Sequence, residues 1–380
     1  MVANWKEYEL GDLIQFKNGK KRPKENGAIP VYGGNGILDY VEKSNFTNCI
    51  IIGRVGAYCG SVYYSENDCW VSDNAIAALP TEKMDVIFSY YLLKSLNLNN
   101  MRIGSSQPLL TQGILNKICV SVPELDEQRR IGDTLWQLDQ LIKTNGNIIN
   151  NMNSQAKAYF EKIFLLSGPK EGWKKGTFSE LITSTLGGDW GKDAETGNYT
   201  EQVYCVRGAD IPEVNVGNIG KMPLRFILKK NFDNKRLVPG DLVVEISGGS
   251  PTQSTGRIAA ISQALLDRYD RGMVCTNFCR AIKPKRGYSM FIYYYWLYLY
   301  EKNRFFAYEN GTTGIKNLDI NGFLESEEIV FPSEGDLGQF NSYCASAFEN
   351  IFSLGLQNEK LSSLRELLIK KMIVNGGKSE

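Results

Sequence analysis

The chain has 380 residues, with 43 Lys plus Arg against 42 Asp plus Glu, and no histidine. The missing imidazole excludes a Ser-His-Asp triad, a Cys-His dyad and any His-ligated zinc. A formal charge of +1 argues against a uniformly cationic nucleic-acid binder but leaves a local basic surface open.

No apolar stretch follows a basic one at the N-terminus, so no signal peptide is expected. The longest uncharged apolar segment, Gly287 to Tyr300, falls short of the about 20 residues a spanning helix needs. The eight cysteines contain no Cys-x-x-Cys pair, and free buried thiols in a cytoplasmic protein are the expectation. Cys275 and Cys279, four apart, can share one helical face, but two thiols do not complete a metal site. No metal site is expected.

In chain order, the first feature after Trp5-Lys6 is a basic cluster: Lys17, Lys20, Lys21, Arg22 and Lys24. Such density beside glycines suits phosphate contact, and a solvated loop is an equal reading. Gly34-Asn35-Gly36 lacks the third glycine of a dinucleotide loop and reads as a turn. Asn48 to Gly53 is a β-rich run bounded by glycine, followed directly by Arg54. Val86 to Leu96 reads as a helix. Ser105, Ser106 and Gln107 form a hydroxyl-rich loop ahead of Val122-Pro123.

A long helical pattern follows the proline. Its apolar seam runs through Ile131, Leu135, Leu138, Ile142, Ile149 and Met152 and on to Ile163, at alternating spacings of four and three with Asn145 in the one polar gap. This is a heptad pattern, and at 1.5 Å per residue it predicts a helix about 50 Å long. Leu166 to Gly172 is a breaker cluster and the clearest boundary.

The chain then repeats itself. Trp5-Lys6 and Leu13-Ile14 are echoed by Trp173-Lys174 and Leu181-Ile182, Val71-Ser72-Asp73-Asn74 by Val274-Cys275-Thr276-Asn277, and Val122-Pro123 by Phe331-Pro332. The offset grows from 168 to 209, so the second copy holds roughly forty extra residues. Gly240 to Ile246 is a β-rich run. It leads into Ser247 to Arg257, whose Ser250, Thr252 and Arg257 offer hydroxyls and a guanidinium to a phosphate or base edge. Phe291 to Tyr300 reads as a helix, and its Tyr293-Tyr294-Tyr295-Trp296 run as core rather than a base-stacking surface. Asn277, Thr312, Thr313 and Lys316, with the scattered cations Lys192, Arg207 and Arg304, complete the polar candidates. A second seam, offset by 209, includes Ile351, Leu354, Leu361 and Leu368, with Asn358 and Arg365 as polar members. Two such helices can pair antiparallel; packing of each on its own domain is the rival arrangement.

No chemistry declares itself. There is no P-loop and no Pro-Pro-containing methyltransferase motif, and the one acid-x-Lys match, Asp233-Asn234-Lys235, reads as a solvated loop. Residues 1–123 carry 12 basic and 11 acidic side chains, and residues 167–332 carry 21 and 19. Neither unit is strongly cationic, which implies a partner that adds phosphate contacts.

In Gly53-Arg54-Val55-Gly56, Pro123-x4-Gln128, Val206 to Ile211, Glu245 to Ser250, Thr276 to Arg280 and Gly311 to Leu318, ordered within a tandem repeat, the chain resembles the specificity subunit of type I restriction-modification systems. The resemblance implies an α+β fold: two mixed α/β target recognition domains, each followed by a long helix, the helices pairing as an antiparallel coiled coil. The boundaries expected are 1–123, 124–166, 167–332 and 333–380. It implies a non-catalytic subunit that reads a split, asymmetric double-stranded DNA target with no catalytic residues and no cofactor of its own. The partners implied are two methyltransferase subunits using S-adenosylmethionine and up to two restriction subunits using ATP and magnesium. A stand-alone nuclease and a protein-binding adaptor are the competing function classes.

Overall fold

A computed structural model describes residues 5–104, 108–250, 252–311 and 316–376. The chain divides into two units, residues 1–142 with 360–380, and residues 143–359.

In the first unit, Lys6–Glu9 pairs antiparallel with Cys119–Val122, tying the start of the globular part to its end. A four-stranded antiparallel sheet runs in the order Ile14–Asn18, Ala75–Pro80, Cys49–Gly53, Val62–Ser65. A three-stranded sheet places Asn26–Gly33 between Gly36–Val41 and the parallel Trp70–Val71. Gly34-Asn35 is the hairpin turn between its first two strands. Cys49–Gly53 is buried at every residue, which accounts for its unbroken apolar run. The helix Val86–Ser95 is capped by Asp85, whose carboxylate accepts from the Phe88 N–H at 2.8 Å.

The second unit has the same plan. Lys174–Thr177 pairs with Glu328–Phe331, and the four-stranded sheet runs Ile182–Gly187, Cys279–Pro284, Leu242–Glu245, Ile258–Ala260. Tyr199–Val206 sits between Leu224–Leu228 and the parallel Met273–Cys275. A small sheet of Ser247–Gly248, Lys316–Leu318 and Glu309–Asn310 has its counterpart in the first unit in the bridges Val55–Leu109 and Ile103–Leu109. The helix Ser289–Glu301 buries Tyr293, Tyr294 and Trp296, so the aromatic run is core, with the Trp296 indole donating to the Gly256 carbonyl at 2.7 Å.

The matched hydrogen bonds correct the register of the repeat. Ser72 N–H donates to Tyr32 and Thr276 N–H to Val206, so Ser72 corresponds to Thr276 and Asn74 to Phe278. The echo read from sequence is one residue off there. Cys275 and Cys279 share no helix, because they end and begin strands. Asp233 and Lys235 lie in a short helix, Lys229–Lys235, rather than a loop.

Gly19 and Gly188 occupy equivalent places. A Cβ on Gly19 would penetrate the Ser72 carbonyl, and one on Gly188 the Thr276 carbonyl. Only glycine permits this approach of backbone to backbone.

The long helices span Leu125–Phe160 and Glu334–Ile369. Each ends in a π-helical turn, Glu161–Leu166 and Lys370–Val374. Gln128, buried, fastens the first helix to its domain: its amide donates to the carbonyls of Pro123 (2.9 Å) and Lys83 (3.1 Å) and accepts from the Asp85 N–H (3.0 Å). In the first unit Ile131 and Leu135 share a core with Ile369 and Ile373, and Arg365 pairs with Asp139. In the second unit Ala156 and Phe160 share a core with Leu337, Phe340 and Cys344. There Asn145 donates to Gln357 (2.7 Å) and Asn358 (2.9 Å). Within each unit, rising numbers on one helix meet falling numbers on the other, so the pairing is antiparallel. Ile131, Leu135, Ile149 and Ile351 are buried, and Leu138, Ile142, Met152, Leu354, Leu361 and Leu368 are half-buried. The helices pack on each other and on the domains at once.

Gly19→Ala and Gly188→Ala are each predicted to lower stability in urea unfolding by about 1–3 kcal/mol or more through overpacking. Gly146→Ala, on a helix with no atom near its Cβ position, is predicted to raise it by roughly 0.5–1 kcal/mol.

Candidate nucleic-acid interface

In the first unit, Lys17 is exposed near the end of the strand Ile14–Asn18, and Lys20, Lys21, Arg22 and Lys24 are exposed on the segment leading to Asn26–Gly33. Lys20 is anchored through its backbone, which bridges to Ser72 and accepts from the Trp70 indole. Arg22 pairs with Asp39 at 2.8 Å, with both side chains exposed. Such a pair contributes little to stability, so the guanidinium is available to an anion. Lys21, Arg22, Lys24, Asp39 and the Asp73-Asn74 turn line an open concavity of about 550 Å³. Arg54 is half-buried after Cys49–Gly53. Its backbone N–H donates to Asn74 and its carbonyl accepts from Leu110, while its buried Nε has no partner among the described residues. Ser105, Ser106 and Gln107 lie outside the described residues.

In the second unit most of the candidate cations are held by carboxylates. Arg207 makes two bonds to Asp210 (both 2.9 Å) and one to the Lys221 carbonyl (2.6 Å). Arg257 makes two to Glu245 (2.7 and 2.5 Å). Arg304 bonds Glu327 through Nε and lies over the Tyr308 ring. Lys316 pairs with Glu309 at 2.8 Å and lies over the Phe306 ring. Lys192 is exposed, its ammonium over the Tyr199 ring, and its backbone exchanges two bonds with Phe226. Ser250 turns its hydroxyl inward to accept from the Gln253 N–H at 3.0 Å, whereas Thr252 and Asn277 are exposed. Thr312 and Thr313 lie outside the described residues.

The carboxylates Asp210, Glu245, Glu309 and Glu327 were not visible as site residues from sequence. The signal available was Glu245 closing the apolar strand Leu242–Glu245, where a buried acid demands a cation. Phe278, beside Asn277 and 61% exposed, was also missed. An exposed aromatic in a polar turn is a candidate surface for stacking.

The matched hydrogen bonds also align the two sites. Gly53 and Glu245 donate to Ser61 and Arg257, and Gly60 and Gly256 donate back. Arg257 therefore corresponds to Ser61, and Arg54 corresponds to Ile246. One backbone frame carries two different sets of side chains.

Burial opposes ionisation of Asp210, but the Arg207 guanidinium and the Lys221 and Arg207 N–H groups outweigh it and hold the carboxyl below its ordinary 3.8. Glu309 is likewise held below 4.5, burial being outweighed by Lys316 and Thr255. A depressed carboxylate contributes stability above its unfolded pKa and loses it as pH falls through the folded value. Asp210→Asn is predicted to cost about 1–3 kcal/mol at pH 7 and to flatten the loss of stability below about pH 4, as read by unfolding at a series of pH values.

Comparison with known proteins fits this geometry. Residues 3–154 match the family described as type I restriction modification DNA specificity domain. The chain is 30% identical over 145 residues to the type I restriction enzyme EcoprrI specificity subunit of Escherichia coli, a match covering 36% of each chain. It is 22% identical over 275 residues to the type I restriction enzyme MjaVIII specificity subunit of Methanocaldococcus jannaschii, covering 64% of each. The matched stretches thus span less than two thirds of these relatives. The crystal structure of the type I restriction-modification S subunit from M. genitalium superposes with a TM-score of 0.65 over 98% of this chain and 96% of that one, at 16% identity; that likeness is one of fold. The first part of the chain is thus similar in sequence to type I specificity subunits, and nearly its whole length shares the fold of a solved S subunit.

Proposed function

We propose that this chain is the non-catalytic DNA-recognition subunit of a cytoplasmic type I restriction-modification complex. Each globular domain reads one half of a two-part, asymmetric double-stranded target. The single observation that carries this is the duplicated frame with divergent side chains: the same strands and turns present Gly53 and Ser61 in one copy and Glu245 and Arg257 in the other. Identical readers would call for identical side chains at these places.

The helices, 36 residues each and about 54 Å long, suit a spacer for half-sites about one to one and a half DNA turns apart. Their remaining exposed faces are the docking surface for two methyltransferase subunits. Exposed apolar residues such as Leu141, Ile148, Leu364 and Leu367 suit that role. Base flipping and methyl transfer from S-adenosylmethionine take place in those partners, and ATP with magnesium serves restriction subunits that join them. The near-neutral charge of this chain makes the partners contributors to the grip on phosphates.

Lys20→Ala with Lys21→Ala and Lys24→Ala, in the chain assembled with its methyltransferase, is predicted to weaken DNA binding equally across sequences. The log–log salt slope should become shallower by about 0.9 for each phosphate that is no longer neutralised. Unchanged affinity and slope in a salt titration would remove this cluster from the interface.

A further inference from the structure

Resting on that reading, we infer that Arg257 is the guanine-reading residue of the second domain and that Glu245 is the positioning residue that aims it. A guanidinium has five N–H donors. Arg257 spends Nε–H and one Nη2–H on the two oxygens of Glu245. The second Nη2–H and both Nη1–H groups have no partner among the described residues, and the Arg257 side chain is 25% exposed. The edge left over is two parallel donors, the complement of guanine O6 and N7.

Arg207, Arg304 and Arg225 do not match that description, and Arg280, whose buried Nε has no partner among the described residues, has no carboxylate fork to aim it. Arg207 spends both Nη2–H groups and Nε–H on Asp210 and the Lys221 carbonyl, which leaves no two-nitrogen edge. Arg304 is held only through Nε and is half exposed, so its orientation is not fixed by a fork. Arg225 is buried.

Phosphate would accept the same edge, and the clamp decides between the two. Glu245, buried, cancels the charge of Arg257, so the pair adds little to long-range attraction while keeping its directionality. The clamp is built into the backbone. Glu245 and Arg257 are cross-strand neighbours through the Glu245 N–H to Arg257 carbonyl bond at 2.9 Å. Gly208 and Gly248 lie against the carboxylate where a Cβ on either would collide with or crowd Oε1. In the first copy the corresponding Ser61 hydroxyl bonds the Gly34 carbonyl instead, so that domain reads its half-site with other groups.

The test is the methylated motif mapped across a genome in cells expressing the full chain with its methyltransferase. Wild type should yield a two-part motif with a guanine in one half. Arg257→Lys keeps the charge and loses the fork. It should relax that one position by about 10-fold or more, leaving the other half-site intact. Glu245→Gln should relax the same position in part. Glu245→Gly with Arg257→Ser reproduces the first copy's residues and strands no buried charge, so it guards against unfolding. With an unchanged melting temperature, it too should relax only that position. An unaltered motif in Arg257→Lys, or equal weakening at every position, overturns the inference while the reading of the subunit stands. A wild-type complex with no two-part motif overturns both.

Discussion

Three polar residues, Asn145, Asn358 and Arg365, inside otherwise apolar seams constrain the rest of this molecule. Asn145 finds its partners in Gln357 and Asn358, and Arg365 finds its partner in Asp139. A heptad seam of Ile and Leu alone tolerates shifts and reversals at small cost, whereas a buried amide or guanidinium without its partner costs more than an apolar contact gains. Asp139 is engaged a second time, accepting from the buried Tyr91 hydroxyl at 2.6 Å. Burial, followed by that bond, pushes the Tyr91 phenol up, so it remains a donor. The register of the helices is thus locked to the domain core, and each core is completed by the start of one helix and the end of the other.

On that frame the duplication is conservative where backbones meet and free where side chains face outward. Gly19 and Gly188 keep the same close approach, and the ladders around Gly53 and Glu245 keep the same hydrogen bonds. The basic residues do not keep their places. The first domain carries exposed lysines in a run, while the second carries cations individually seated on buried carboxylates. Lysines on a solvated segment act as point charges on phosphates; a clamped guanidinium presents a shape. The two domains therefore differ in how they present their cations.

Much of the fold was legible in the sequence because its signals are periodic or ordered. The long helices announced themselves by alternating spacings of three and four. The breaker between Leu166 and Gly172 and the apolar strands Cys49–Gly53 and Leu242–Glu245 were equally plain. The register around Ser72 and Thr276 was not, since a short motif has no periodicity to report a shift of one residue. The site was less legible still. Arg304 meets Glu327 across 23 residues and Arg257 meets Glu245 across 12, pairings made by the tertiary fold rather than by any local pattern. A candidate drawn from loop chemistry alone could name the cations and not the acids that aim them.

The central claim is that one chain presents two different readers to one DNA duplex. Protection footprinting of the chain assembled with the methyltransferase subunits proposed for it, on DNA carrying the proposed two-part site, tests this most directly. The prediction is two separate protected tracts of different sequence with an unread spacer between them. A single continuous tract of one sequence, two identical tracts, or no protection at all would contradict it.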